Sequence, residues 1–251
     1  MKMRKHLLLI VLPLFFFSCN KEEEIAVPDP EFTIPDEFYT MEEYVNIKDV
    51  SEADGYQWDF GNGTTSTKRV PDSFMYAEPG AYTITLTTYT AGVAKTVEKE
   101  VKVARLYVYE VQLLSYLENY ALEGGDLSAP SEGNPDVYLQ VSTYESNEEK
   151  VLYKSEVRPA VTREDLPLTF VVDRIPLGGG VPELPYMHTP FFKFFDHNED
   201  KADRLIAHNL VTGGSSQLYL NKATKEGYYT QQRGSDDWGS HVVVKFKVEL
   251  P

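Results

Sequence analysis

The sequence has only one cysteine, Cys19, and is poor in basic residues. Without a second cysteine the chain cannot form an internal disulfide, so hydrophobic cores alone must stabilise its domains. It contains 24 Lys and Arg residues against 39 Asp and Glu residues, and its formal net charge is −15. A negatively charged surface repels nucleic acid and anionic lipid head groups, which disfavours a function in binding either of them.

Sequence motifs of common catalytic sites are also missing. There is no HExxH motif or close histidine pair, so a zinc site is not expected at His188, His197, His208 or His241. Asp and Glu are numerous, but no pair stands out as the two carboxylates of a glycosidase. We therefore expect a protein that is not an enzyme, with a polysaccharide hydrolase as the less favoured alternative.

The N-terminal segment is typical of an exported lipoprotein. Basic residues precede an apolar run at residues 7–17, which has the length of a secretory signal and is too short to cross a bilayer. Ser18 and Cys19 directly after this run resemble the bacterial lipobox, in which the cysteine is lipidated and becomes the new N-terminus. The resemblance implies that residues 1–18 are cleaved and that a covalent lipid on Cys19 holds the protein on a membrane.

The segment after Cys19 bears on localisation. Residues 20–24, sequence NKEEE, resemble the short acidic signal that sends lipoproteins of Bacteroidetes to the cell surface. This resemblance implies a lipid-anchored protein of the outer membrane, exposed on the cell surface. The alternative is a solvated acidic tether that faces the periplasm. Acidic residues and prolines favour an extended chain, so residues 19–30 are predicted to be a tether.

Apolar and polar residues alternate in short runs from residue 32 to residue 103. The clearest runs lie at residues 44–50, 55–60, 82–89 and 95–103. This two-residue period predicts half-buried β-strands, and no helical period competes with it. With aromatic residues at 13% of the chain, the pattern indicates an all-β fold.

Two motifs in this first half carry a family resemblance. Residues 56–65 read YQWDFGNGTT and residues 77–86 read AEPGAYTITL. Together they resemble the PKD domain, an immunoglobulin-like β-sandwich, which we place at residues 31–104. The resemblance implies that Trp58 fills the core and that Tyr82 forms a tyrosine corner. PKD domains mostly serve as spacers or adhesion modules, so the resemblance implies architecture more than activity.

The second half, residues 105–251, is predicted to form another antiparallel β-sandwich with longer loops. Strand patterns lie at residues 106–114, 137–141, 151–157, 168–172, 191–195, 218–220 and 241–248. Turn-forming residues dominate three stretches, at residues 123–135, 176–185 and 228–240. The short link at residues 103–105 is compatible with two rigidly packed domains and with two domains that swing.

Acidic residues in this half have an order that resembles a C2 domain, an eight-stranded sandwich whose loops gather aspartates around calcium. The resemblance implies a calcium site formed by Asp126, Asp136, Asp196, Asn198 and Asp203. Six to eight oxygen ligands in a flexible cage suit calcium. Asn198 departs from the family pattern by removing one negative charge. The alternative is that these are solvated loop acids in an acidic protein.

Aromatic residues near the end of the chain suggest a ligand surface. We predict that Tyr228, Tyr229 and Trp238 stack on sugar rings, the alternative being that they cap the core of the sandwich. The sequence therefore predicts a non-catalytic binding or adhesion module for a glycan or a protein. The alternative function is a structural scaffold subunit of an outer-membrane assembly.

Overall fold

The computed structural model describes residues 27–41, 43–116, 133–145, 148–177, 190–210, 217–233 and 239–251. In this part of the chain there are thirteen β-strands, a single 3-10 turn at Arg163–Asp165 and no α-helix. The predicted all-β class is confirmed. None of the described residues forms a helix that is long and apolar enough to cross a membrane. Three predicted functional residues, Cys19, Asp126 and Trp238, lie outside the described residues.

The first half of the chain forms five strands in the order β1-β5-β4-β2-β3. Their bounds are β1 Tyr39–Thr40, β2 Gly55–Asp59, β3 Thr65–Ser66, β4 Gly80–Thr90 and β5 Val93–Ser115. The strands predicted at residues 55–60, 82–89 and 95–103 are confirmed. The strand predicted at residues 44–50 is wrong, because that stretch makes only isolated bridges, between Val45 and Phe74 and between Lys48 and Thr33.

The core of this half is organised around Trp58, as predicted. Trp58 is fully buried, and its ring stacks on Phe60 with 6.3 Å between ring centroids. The indole Nε1 donates a hydrogen bond of 2.9 Å to the carbonyl oxygen of Lys68, which satisfies the one polar atom of the side chain. The Tyr82 hydroxyl donates to the Glu78 carbonyl oxygen at 2.8 Å, so the predicted tyrosine corner is confirmed.

The second half of the chain is a β-sandwich. One sheet has the order β11-β12-β13-β5-β8, and the other has the order β10-β9-β6-β7, with antiparallel pairing throughout. The bounds are β6 Val137–Glu145, β7 Glu148–Lys154, β8 Leu168–Leu177, β9 Phe191–Asp196, β10 Arg204–Leu210, β11 Gln217–Asn221, β12 Glu226–Arg233 and β13 Ser240–Glu249. Buried side chains of both sheets, such as Val111 and Phe194, form one core.

Two strands of this sandwich, β10 and β12, were not predicted. In β10 a register shift between Leu205 and Ala207 breaks the alternation, so the neighbours Ile206 and Ala207 are both buried. In β12 the inward positions are Tyr229 and Gln231, and a buried glutamine hides the apolar period. The prediction of a turn-rich stretch beginning at residue 228 is therefore wrong.

Strand β5 runs through both halves without interruption. It has 23 residues, and at a rise of about 3.3 Å per residue it is about 75 Å long. Its first part pairs with β4 from Val93 to Val103, and its second part pairs with β13 from Arg105 to Ser115. Residues 103–105 are therefore part of a paired strand, and the two halves do not swing about a flexible link.

Side chains also tie the two halves together beside this strand. Phe38 precedes β1 in the first half, yet it is fully buried in the core of the second half. Lys222, in the turn between β11 and β12, lies 3.1 Å from Asp36 and 3.0 Å from Glu43. Its ammonium group also donates to the Phe38 carbonyl oxygen at 3.2 Å. The halves therefore share a core and an ion-pair cluster.

We expect Phe38→Ala to lower the free energy of unfolding by about 3–5 kcal/mol, because it opens a cavity in the core of the second half. Urea unfolding measures this change. The control is Tyr44→Ala, which removes an aromatic side chain that is 56% exposed and should change the free energy by about 0.5 kcal/mol or less. Equal effects of the two substitutions would contradict the shared core.

Candidate functional site

Four of the five predicted calcium ligands lie together at one end of the four-stranded sheet. Asp136 directly precedes β6, Asp196 is the last residue of β9, and Asp203 directly precedes β10. Because β6 and β10 both pair with β9, the three acids meet at the same end, next to Asn198. The backbone N–H of Asp136 donates to Asp196 Oδ1 at 2.9 Å.

The carboxylate of Asp196 is buried in an ion pair. Its Oδ2 accepts a hydrogen bond of 3.2 Å from Arg204 Nη2, and the two side chains are 4% and 10% exposed. A buried charge is costly unless it is paired and hydrogen-bonded, and both conditions are met here. Arg204 thus supplies the positive charge next to Asp196.

The carboxylate of Asp203 accepts hydrogen bonds from protein groups on both oxygens. Tyr138 donates its hydroxyl proton at 2.7 Å, the backbone N–H of Asn198 donates at 3.0 Å, and His197 Nδ1 lies at 3.0 Å. Burial opposes the charge of Asp203, but these hydrogen bonds outweigh it and hold the pKa of the carboxyl group below its usual range. Burial and the bond to Asp203 raise the pKa of Tyr138.

Asp136 and Asn198 are held in the same way. Asp136 Oδ1 accepts from the backbone N–H of Ala160 at 2.7 Å, and Asn198 Nδ2 donates to the Asp196 carbonyl oxygen at 3.1 Å. In the described part of the chain, no three His, Cys, Asp or Glu residues are placed to hold a metal ion. The geometry of these four residues fits a structural hydrogen-bond network. A calcium site that also includes Asp126 stays a prediction.

The aromatic residues separate into two environments. Tyr229 is 3% exposed and packs on Phe246, with 5.3 Å between ring centroids, so it is a core residue and does not fit the predicted contact with sugar. Tyr228 faces the opposite side of the sheet, because successive residues of a strand alternate. It is 38% exposed and stacks on Tyr219, which is 46% exposed, with centroids 4.7 Å apart and planes 21° apart.

We call this exposed pair the Tyr219–Tyr228 platform. The two residues are directly opposite each other on β11 and β12. A surface pocket of about 470 Å³ lies beside them, lined by Leu218, Tyr219, Leu220, Asn221, Glu226, Gly227 and Tyr228. Tyr219 was not predicted as a ligand residue. The signal for it is the short β11–β12 turn, which places Tyr219 opposite Tyr228 once the register is known.

Gly227 is required for this hairpin to pack on the core. A Cβ atom there would lie 2.3 Å from the Tyr219 carbonyl oxygen and 2.5 Å from Cζ of Phe246. Gly227 and Phe246 are cross-strand partners, and the ring of Phe246 occupies the space that a side chain would take. The glycine therefore lets β12 lie against β13 next to the platform.

We expect Asp196→Ala to lower the free energy of unfolding by about 3–5 kcal/mol with chelator present, because it removes the buried carboxylate that pairs with Arg204 and accepts from the backbone N–H of Asp136. Asp200→Ala removes an exposed acid near the same end of the sheet and is the matched control. If both variants unfold like the wild type, the network is not structural. A rise in wild-type melting temperature at millimolar calcium, lost in Asp196→Ala, would support the metal hypothesis instead.

Comparison with known families bears on the first half of the chain. The family model described as PKD domain matches residues 28–104. The comparison with curated proteins finds no match for this chain. The matched range contains β1 to β4, the buried Trp58 and the tyrosine corner at Tyr82, and it ends within β5. Residues 28–104 are therefore a PKD domain.

Proposed function

We propose that this protein is a non-catalytic binding module that captures carbohydrate on the Tyr219–Tyr228 platform. The observation that carries the proposal is the pair of stacked, exposed tyrosine rings beside a pocket of about 470 Å³. Pockets of about 300–1,000 Å³ are the size that small ligands occupy. The C–H faces of a sugar ring pack on aromatic rings, and this contact removes apolar surface of both partners from water.

Polar groups at the rim of the pocket suit the hydroxyl groups of a sugar. The lining includes Glu226 and Asn221, at the ends of β12 and β11. Asn221 Oδ1 accepts from the backbone N–H groups of Ala223 and Thr224, so its NH₂ group is the part that can face a ligand. A carboxylate accepts hydrogen bonds from hydroxyl groups, and a side-chain amide can donate or accept. Apolar rings with a few placed polar groups are the usual composition of ligand sites, because the polar groups fix orientation.

Binding fits this site better than hydrolysis. A glycosidase needs two carboxyl groups on either side of the bond that it cleaves. Among the described residues that line the pocket, Glu226 is the one acid. The acids at the end of the four-stranded sheet accept hydrogen bonds from Arg204, Tyr138 and backbone donors, which supports a structural role for them.

We further propose that the module is displayed on the outer membrane through lipid on Cys19. The first described residues lie along the PKD domain, where Lys95 Nζ donates to the Val27 carbonyl oxygen and lies 2.8 Å from Asp29 Oδ1. Lys95 is close to the β4–β5 turn, at the start of β5. The tether would therefore leave at one end of the long strand, while the platform belongs to the half around its other end.

We expect Tyr228→Ala and Tyr219→Ala each to weaken binding of a soluble polysaccharide by about tenfold or more, because each removes an aromatic anchor. Affinity electrophoresis of the purified protein in gels with different polysaccharides measures this loss. Tyr89→Ala removes a tyrosine that is 41% exposed on the PKD domain and is the control. If a polysaccharide retards the wild type in the gel and retards both platform variants to the same extent, the proposal is contradicted.

A further inference from the structure

The Tyr219–Tyr228 platform is one end of a row of side chains that crosses the five-stranded sheet. Tyr228 lies opposite Lys245 on β13, Lys245 lies opposite Glu110 on β5, and Glu110 lies opposite Val171 on β8. Directly opposed residues of neighbouring strands share a face of the sheet. We call Tyr219, Tyr228, Lys245, Glu110 and Val171 the transverse row.

Three cations on this face are paired with carboxylates. Within the row, Lys245 Nζ lies 2.7 Å from Glu110, and the two side chains are only 34% and 21% exposed. Beside the row, Lys247 lies 3.5 Å from Glu226, and Arg174 lies 2.7 Å from Glu249. A sulfate, phosphate or uronate group would have to compete with a neighbouring carboxylate at each of these three cations.

We propose that the ligand of the platform is an uncharged polysaccharide whose chain lies along the transverse row. This inference rests on the proposed carbohydrate binding and adds the class of carbohydrate. The ion pairs leave these cations without uncompensated charge, and the net charge of −15 repels anionic polymers over the whole surface. The paired groups still offer donors and acceptors for the many hydroxyl groups of a neutral chain.

The length of the row indicates that several sugar units bind together. Neighbouring strands are about 4.8 Å apart, so five strands span about 19 Å, which is longer than a single monosaccharide. Val171 at the far end is 74% exposed and gives an apolar surface to a chain that starts on the tyrosines. The affinity should therefore rise with the number of sugar units and level off when the row is filled.

The first test compares neutral polysaccharides, such as soluble glucans and mannans, with polygalacturonate and alginate by titration calorimetry on the purified protein. Neutral polymers should bind, with at least about tenfold loss in Tyr228→Ala, and anionic polymers should not bind. If anionic polymers bind as tightly as neutral ones and lose the same affinity in Tyr228→Ala, the inference that the ligand is uncharged is wrong, but carbohydrate binding on the platform is supported. If no polysaccharide binds, the proposed function itself is wrong.

The second test changes the charge of the row. Glu110→Gln removes the carboxylate that pairs with Lys245 and should make binding of polygalacturonate detectable. Glu148→Gln changes the net charge by the same amount on β7 of the other sheet and is the control. Equal responses of the two variants would overturn the role of the Lys245–Glu110 pair. A third measurement compares the affinities of neutral sugars from a monosaccharide to long oligosaccharides. An affinity that does not change with the number of sugar units would overturn binding along the row.

Discussion

The backbone hydrogen bonding of β5 is the constraint on which the rest of this structure depends. Along its 23 residues, β5 pairs first with β4 in the PKD domain and then with β13 and β8 in the second half of the chain. Where the halves meet, β5 is paired on both sides, with β4 and β1 at Val103 and with β13 and β8 from Leu106. It cannot bend sharply there without losing several hydrogen bonds at once. The direction of one half relative to the other is thereby set by a single strand, and Phe38 and Lys222 pack against the point where the halves meet.

This continuity changes how the domains of the protein should be understood. The family match ends at residue 104, in the middle of β5, although the hydrogen bonding does not stop there. Residues of the PKD domain are needed to complete the second core, because Phe38 is buried in it. Cutting the chain at the family boundary would divide β5 between its two sets of partners and remove the Phe38 side chain from the second core. The two halves are therefore joined by one continuous strand and by one buried side chain.

Local patterns in the sequence were sufficient for most of the fold. The alternation around Trp58 and Tyr82 predicted β2 and β4, because those strands bury every second residue against a conventional core. β10 and β12 were not predicted, because a bulge in β10 and a buried glutamine in β12 disturb the two-residue period. The continuity of β5 was also not visible, since a two-residue period says nothing about which strands pair on either side.

The candidate sites show the same limit. The order of the acids predicted that Asp136, Asp196 and Asp203 come together, but their donors, Arg204 and Tyr138, could not be identified from spacing alone. Likewise, Tyr228 was visible as an aromatic residue, whereas Tyr219 became its partner only through the β11–β12 register. Long-range register decides whether an acid is a ligand or part of a network, and whether a tyrosine faces water or the core.

The position of Lys95 at the start of β5 has a mechanical consequence. Lys95 holds the N-terminal segment at one end of the strand, and the tyrosine platform is attached to the half around the other end. In the proposed arrangement, with a lipid-anchored N-terminus and a polymer on the platform, a pull between the two would act along the strand axis. Antiparallel hydrogen bonds lie perpendicular to the strands, so this load would shear many of them together instead of opening them one after another.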